Sequence, residues 1–373
     1  MGLLRGPYVE NPMPDSALVR WRTEISTVSW LEYGPAPSCS KTMTISEGTS
    51  DHAIKLFDLL PATTYCYRIL LPYNEGANSV LAATGTFSTL RAPEQEQTEF
   101  LVFGNTGSGL ESEQALAHAI LRFSPDFALH TGNLFPSGTE DDADRLYFTP
   151  YKDVLAKMTV FIAPGENEYG DITAGRPGLN FFNANYRKAH QMTWSKGTPQ
   201  YYSFRTANAL FIVLDTNFAA GFEGAPKISP DSPQYIWLKN LLSKTVGVWK
   251  FVLMHNPAYA NGTAGAYPAL TQDLTPLFEK YGVNAVFQGK ELTYERTLPV
   301  TAGAPAEKDG VVYITSGDAG RPHPPILEQA AGQLTAKQAP VPHFVRVAVS
   351  KNTAAIQAYG ADGALLDETA ITR

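Results

Sequence analysis

Five short runs in this 373-residue sequence gather groups able to do chemistry. They are Gly104-Asn-Thr-Gly-Ser-Gly109, His130-Thr-Gly-Asn133, Pro164-Gly-Glu-Asn-Glu-Tyr-Gly170, His255-Asn-Pro257 and Gly289-Lys-Glu-Leu-Thr-Tyr-Glu-Arg296. Each follows a short apolar run that reads as a strand, and α/β folds collect ligands beyond the carboxyl ends of their strands. Taken singly, each is a polar strand-to-helix turn in which glycine supplies a positive φ. Five in one order make a constellation whose polar members are Asn105, Asn133, Glu166, Asn167, His255, Lys290 and Glu291. His255 offers an imidazole for proton transfer or for hydrogen bonding in a pocket floor. Alone it cannot hold a catalytic metal, which needs three or four ligands. Lys290 is a structural counter-ion, an anion anchor or, if deprotonated, a nucleophile. Glu166 and Glu168 suit either acid–base work or the solvated and capping roles usual for carboxylates in a Gly-rich loop. Ser108 and Ser137 have no evident base partner, which argues against a serine hydrolase. Asp215 reads as a turn residue after a strand. The aromatic runs at 181–186 and at Tyr201-Tyr202 pack in a core or line a binding face.

The elements that position these runs fall into two parts, 1–92 and 99–373, joined by a polar, Pro-containing linker at 93–98. The first part alternates polar and apolar residues over Ser16–Arg22, Val28–Tyr33, His52–Leu56, Leu60–Ile69 and Leu81–Thr89. Short strands at this spacing, without a helix signal, predict a small β-sandwich. From residue 99 strands alternate with helices. Phe100–Phe103, Phe127–His130, Val160–Ala163, Lys250–His255, Val283–Phe287 and Val311–Thr315 read as strands, with a hairpin at Tyr201–Arg205 and Leu210–Leu214. Helices are expected over 112–123, within 141–157, after the cap Ser232 with Pro233 at its first position, and over 274–281. Residues 343–349 and 353–359 read as a closing hairpin.

Composition narrows the function classes. Hydrophobic residues make up 44% and charged residues 17%, enough apolar content for a sizeable core and too much for global disorder. The net charge of -7 argues against a nucleic-acid or anionic-membrane binder, each of which needs a basic stripe. No apolar stretch is long enough for a transmembrane helix, and the first residues lack the apolar core of a signal peptide. Cys39 and Cys66 either pair in an oxidising compartment or lie as two buried thiols.

Together the five runs resemble the calcineurin-like metallophosphoesterases, in particular the purple acid phosphatases. That family orders Gly-Asp-x-Gly, Gly-Asp-x-x-Tyr, Gly-Asn-His-Glu/Asp, a strand ending in His, and Gly-His-x-His. Leu59-x-Pro61-x-Thr63-x-Tyr65-x-Tyr67-Arg68 resembles the corner before a late strand of fibronectin type III domains, which the family carries in front. The framework residues Gly104, Thr106, Gly107, Thr131, Gly132, Pro164, Gly165, Glu168, Leu214-Asp215-Thr216, Trp237-Leu238, His255, Pro257 and Tyr294-Glu-Arg296 match. The resemblance implies a fibronectin type III-like all-β sandwich followed by an α/β four-layer metallophosphoesterase-like domain with two central sheets. It also implies phosphate-monoester hydrolysis by an iron–zinc or iron–manganese pair, and secretion or a periplasmic location.

The ligand positions depart from that pattern. Asn105 and Asn133 stand where the family has Asp, Glu166 and Asn167 where it has Asn-His, and Lys290 and Leu292 where it has two His. The tyrosine of the second motif is not at its usual spacing, and His255 alone keeps its expected identity. Neutral amides are poor ligands, Leu292 has no lone pair, and an ammonium repels a cation. No metal or other cofactor is therefore expected. Lys290 is expected to fill the vacated space and to pair with Glu166 or Glu291. The sequence thus predicts a pseudo-phosphatase that binds an unidentified protein or small molecule. The alternatives are a metal-independent enzyme using His255, Lys290 and Glu166, and a residual phosphoesterase with an atypical metal.

Overall fold

A computed structural model describes residues 2–73, 78–136, 139–170, 198, 200–307, 309–321 and 334–373. The aromatic run at 181–186 and Ser137 lie outside the described residues.

The first sheet contains β1 (Leu3–Glu10), β2 (Ala17–Pro35), β3 (Lys41–Leu56), β4 (Thr64–Tyr73) and β5 (Asn78–Ser88). Its order is β1-β2-β4-β5, with β3 also paired to β2. β2 is one 19-residue strand where the sequence predicts two. Alternation pauses at Glu24-Ile25-Ser26, and the register with β3 shifts between Arg22 and Ser29. Before the pause β2 pairs with β1, and beyond it with β4, so a bulge lets one strand serve two neighbours. Val19, Trp21, Leu31 and Tyr33 of β2 share a core with Ile54, Tyr67, Ile69 and Phe87. Cys39 and Cys66 form a disulfide at the edge of this core.

The remaining strands are β6 (Thr98–Phe103), β7 (Phe127–His130), β8 (Val160–Ile162), β9 (Tyr202–Thr206), β10 (Ala209–Val213), β11 (Trp249–Leu253) and β12 (Ala285–Gln288). They continue with β13 (Tyr294–Thr297), β14 (Val300–Thr301), β15 (Ala304–Pro305), β16 (Val312–Ser316), β17 (Thr335–Ala339), β18 (His343–Val349), β19 (Thr353–Gly360) and β20 (Leu365–Thr372). One sheet has the order β20-β19-β18-β6-β7-β8, and the other β17-β13-β16-β12-β11-β10-β9. β6, β7 and β8 run parallel, as do β10, β11, β12 and β16. Parallel pairing brings their carboxyl ends, and hence the five polar runs, to common edges.

Phenylalanines join the two sheets. Phe100, Phe127 and Phe161 of one face Phe204, Phe211, Phe251 and Phe287 of the other. Phe100 meets Phe211 edge-on at 5.0 Å between centroids, and Phe161 stacks on Phe204 at 3.9 Å. On the opposite face of the first, Leu101, Phe103, Ala128 and Ile162 pack with Leu116 and Ile120 of the helix Glu111–Ile120. On the outer face of the second, Leu210, Ile212, Val252 and Val286 pack with Leu238 and Leu242 of the helix Pro233–Ser243. Ser232 caps that helix by accepting from the Tyr235 amide.

The helix expected within 141–157 is broken into Glu140–Ala143, a π turn at Asp144–Phe148 and Lys152–Leu155. The wide turn lets three successive residues, Leu146, Tyr147 and Phe148, all bury. β1, β20 and the first half of β3 go beyond the sequence reading, and a helix Pro268–Asp273 precedes the expected one at Thr275–Lys280. No helix among the described residues is long and apolar enough to cross a membrane.

Candidate functional site

Asn105, Asn133 and Lys290 each follow a strand, and each takes a left-handed backbone, with φ of 55°, 60° and 63°. Asparagine adopts this region more readily than lysine does. Asn105 is buried, and its amide nitrogen donates to the Gly317 carbonyl at 2.7 Å and to the Lys290 carbonyl at 3.2 Å. Its Oδ1 is buried without a hydrogen-bond partner among the described residues. Asn133 Oδ1 accepts from the Asn167 amide at 2.9 Å, so the second and third runs are tied together.

His255 stands at the end of β11 and is fully buried. Its Nδ1 lies 2.7 Å from the Thr131 carbonyl, so Nδ1 carries the proton. Nε2 is left as a buried lone pair with no partner among the described residues. Burial depresses the pKa to about 4; Glu166 opposes this shift, while Lys290 and Arg321 add to it. The ring is therefore neutral at physiological pH and only a weak base. Gly132 must lack a side chain here, because a Cβ would lie 2.7 Å from His255 Nδ1. The neighbouring His130 is buried too, with its pKa lowered to about 3 by desolvation. It accepts from the Gly132 amide and pairs with Thr106, whose hydroxyl donates to the Leu134 carbonyl. Both its nitrogens are thus used.

Lys290 pairs with Glu166, both side chains about a fifth exposed. Its ammonium also lies 5.6 Å from the centre of the Tyr267 ring. Burial works against the lysine charge, but the bond to Glu166, with Tyr267 beside it, holds the pKa above the ordinary value. Of the two partners that the sequence leaves open for Lys290, the structure selects Glu166.

The other carboxylates are occupied by backbone. Glu113 accepts from the amides of Gly107, Ser108 and Gly109 at 2.6, 2.8 and 2.9 Å and from the Ser108 hydroxyl. The Gly-rich loop thus cradles the Glu113 carboxyl group, and Ser108 faces it. Glu168 accepts from the amides of Asn133, Leu134 and Gly165, closing a capping box at the third run. Burial raises its pKa despite those bonds. Glu291, expected beside Lys290 in the pocket, is buried and accepts instead from the Gly265 amide at 2.6 Å. Its backbone neighbours in the 263–265 loop bond it, and burial raises its pKa.

Asp215 is more than a turn residue. It is fully buried, accepts from the Tyr169 hydroxyl and from Asn217, and burial lifts its pKa to about 6. Leu292 is partly buried and joins no polar network among the described residues. Tyr201 packs against Trp237 at 5.1 Å, and Tyr202 bonds the backbone of Ile162, so both act as framework. Sequence reasoning missed Arg321, which donates to the Thr106 carbonyl at 2.6 and 3.0 Å, and Tyr267. Neither has a motif around it. Glu113 did carry a signal: it is the third residue of its helix, where a carboxylate reaches back to loop amides.

A dinuclear metal pair does not fit this donor set. The family-implied ligand positions hold three neutral amides, one carboxylate already paired with Lys290, one imidazole, an apolar side chain and an ammonium. Among the described residues no group of three or more His, Cys, Asp or Glu is arranged to hold a metal ion.

This geometry sits in a recognisable frame. A purple acid phosphatase from yellow lupin (Lupinus luteus) seeds superposes with a TM-score of 0.80 at 15% identity, over 99% of this chain and 75% of that one. The fold is purple-acid-phosphatase-like. PhoD matches with a TM-score of 0.67 at 14% identity, over 97% of this chain and 91% of its own. GAP50, the anchor in the inner membrane complex of Plasmodium, matches at 0.58 and 17%, over 74% and 89%. No protein-family model matches the sequence, and no curated protein matches it. At such identities the purple-acid-phosphatase-like likeness concerns the fold, and function has to be argued from the residues.

Proposed function

We propose that this chain is a pseudo-phosphatase: a purple-acid-phosphatase-like protein without a dinuclear metal centre, which acts by binding an unidentified protein or small molecule. The observation that carries the reading is the Lys290–Glu166 ion pair among the family's ligand positions. Two unit charges ~4 Å apart at an effective dielectric of about 20 interact by roughly 4 kcal/mol, and a divalent ion doubles that. A cation entering beside Lys290 meets this repulsion and finds Glu166 already engaged. Amides at 105 and 133 add no negative charge to offset it.

The same reading divides the chain into a fibronectin type III-like sandwich at 1–92, a linker at 93–98 and a four-layer α/β domain at 99–373. The Tyr65 hydroxyl supports the first assignment, since it accepts from the Leu60 amide at 2.8 Å in the manner of a tyrosine corner. The Cys39–Cys66 disulfide supports an oxidising compartment, extracellular or periplasmic. The fold also serves in GAP50, named as an anchor, which supports a scaffold role. The metal-independent enzyme is the weaker reading. Its nucleophile, Lys290, is held protonated, and its base, His255, is a weak one.

Reversion tests the ligand argument. Asn105→Asp, Asn133→Asp, Glu166→Asn, Asn167→His, Lys290→His and Leu292→His, made together, are expected to restore measurable metal binding in titration calorimetry. Each alone is expected to restore none, because ligands act as a set. Full phosphatase activity from any one reversion would show that the site is misassigned.

A further inference from the structure

We infer that the Lys290 ammonium is the resident cation of the cleft, and that the place it fills is a recognition site for a primary ammonium group. The inference rests on the pseudo-phosphatase reading and deepens it. Glu113, Glu168 and Glu291 are engaged by backbone amides, whereas Glu166 faces Lys290. Asn105 Oδ1 and His255 Nε2 are buried acceptors with no partner among the described residues. The ammonium therefore meets a carboxylate and the Tyr267 ring, a set that suits a cation bearing N–H donors. Arg321, another cation among the described residues, spends its guanidinium on the Thr106 carbonyl. The lysine is also built into the frame rather than laid across it. Its carbonyl accepts from Asn105, and the Gly289 amide beside it donates to the His255 carbonyl at 2.9 Å. Its left-handed backbone is one that glycine adopts freely, so Lys290→Gly removes the ammonium without straining the chain.

The test is chemical rescue followed by thermal melting. Lys290→Gly loses the ion pair and sheds the left-handed strain, so its own melting temperature is the reference. n-Butylammonium at millimolar concentration, which replaces the missing side chain from Cβ to Nζ, is expected to raise that melting temperature by at least about one degree. Tetramethylammonium, which has no N–H, is expected not to raise it. Wild type and the double variant Lys290→Gly/Glu166→Gln are expected to show no response to n-butylammonium. An equal response in all three proteins, or none in Lys290→Gly, overturns the inference, as does stabilisation of Lys290→Gly by zinc chloride but not by the amine. A second readout does not depend on that variant folding. Acetylation mapped by mass spectrometry is expected to modify Lys290 of the wild type at least about ten-fold more slowly than the exposed Lys351, and Glu166→Gln is expected to abolish most of that protection. Equal rates at the two lysines would contradict the proposal. Stoichiometric metal in the wild type would instead overturn the pseudo-phosphatase reading, so the two failures are distinguishable.

Discussion

Lysine at a φ of 63° is an expensive choice, disfavoured by about 1–2 kcal/mol relative to ordinary backbone. Its neighbours in role, Asn105 and Asn133, bear the same conformation at little cost. The ion pair to Glu166 and the contact with Tyr267 are what offset the strain at Lys290. Glu166→Gln is accordingly expected to lower stability by about 1 kcal/mol in denaturant titration, since the pair is partly screened by solvent. A titratable group far from the site makes a second, cleaner case. Glu10 is buried, its nearest cation Arg20 is 3.7 Å away, and desolvation lifts its pKa to about 8. The folded state thus keeps a proton that the unfolded chain gives up near pH 4.5. Its contribution to stability is full below pH 4.5 and is lost as pH rises through 8. Glu10→Gln is expected to remove that part of the pH dependence, visible as a flatter stability profile between those limits. Residue identities at the site were legible from sequence wherever a motif surrounded them. The choice of Glu166 over Glu291 as the partner of Lys290 and the backbone partner of Glu291 were not, because both depend on loops brought together from 124 and 26 residues away.

Elements were legible where burial has a clean period. The strands β6, β7, β8, β11, β12 and β16 are short apolar runs bounded by turn residues, and the helix at 233–243 announces itself by Ser232 and Pro233. The bend in β2 and the broken helix around 144 were hidden, since each is set by what packs against it. Arg5 of β1 shows how. It is almost fully buried, pairs through two nitrogens with Asp144 and lies 4.5 Å from the Phe148 ring centre. Arg22 of β2 reaches Glu140 at 2.7 Å from the same side. These contacts fasten the first sheet to the irregular helical segment. Arg5→Ala leaves Asp144 without its partner and is expected to cost about 3 kcal/mol in equilibrium unfolding. Arg22→Ala, at an exposed pair, is expected to cost under about 1 kcal/mol.

At the scale of the whole molecule, fold and site carry different messages. The two facing sheets, their phenylalanine core and the strand-end loops reproduce a purple-acid-phosphatase-like frame across 99% of the chain. That frame survives because its determinants are glycines, apolar periodicity and amide-clamping glutamates, none of which depends on a metal. The positions where the resemblance implies metal ligands carry amides, a carboxylate, an imidazole, a lysine and a leucine here, which is what the proposed pseudo-phosphatase reading rests on. The most direct test is the metal content of the purified full chain, by elemental mass spectrometry, from cells supplied with iron, zinc and manganese. The account predicts well under one metal ion per chain. One or two tightly held ions per chain would contradict it and would return the protein to the hydrolases.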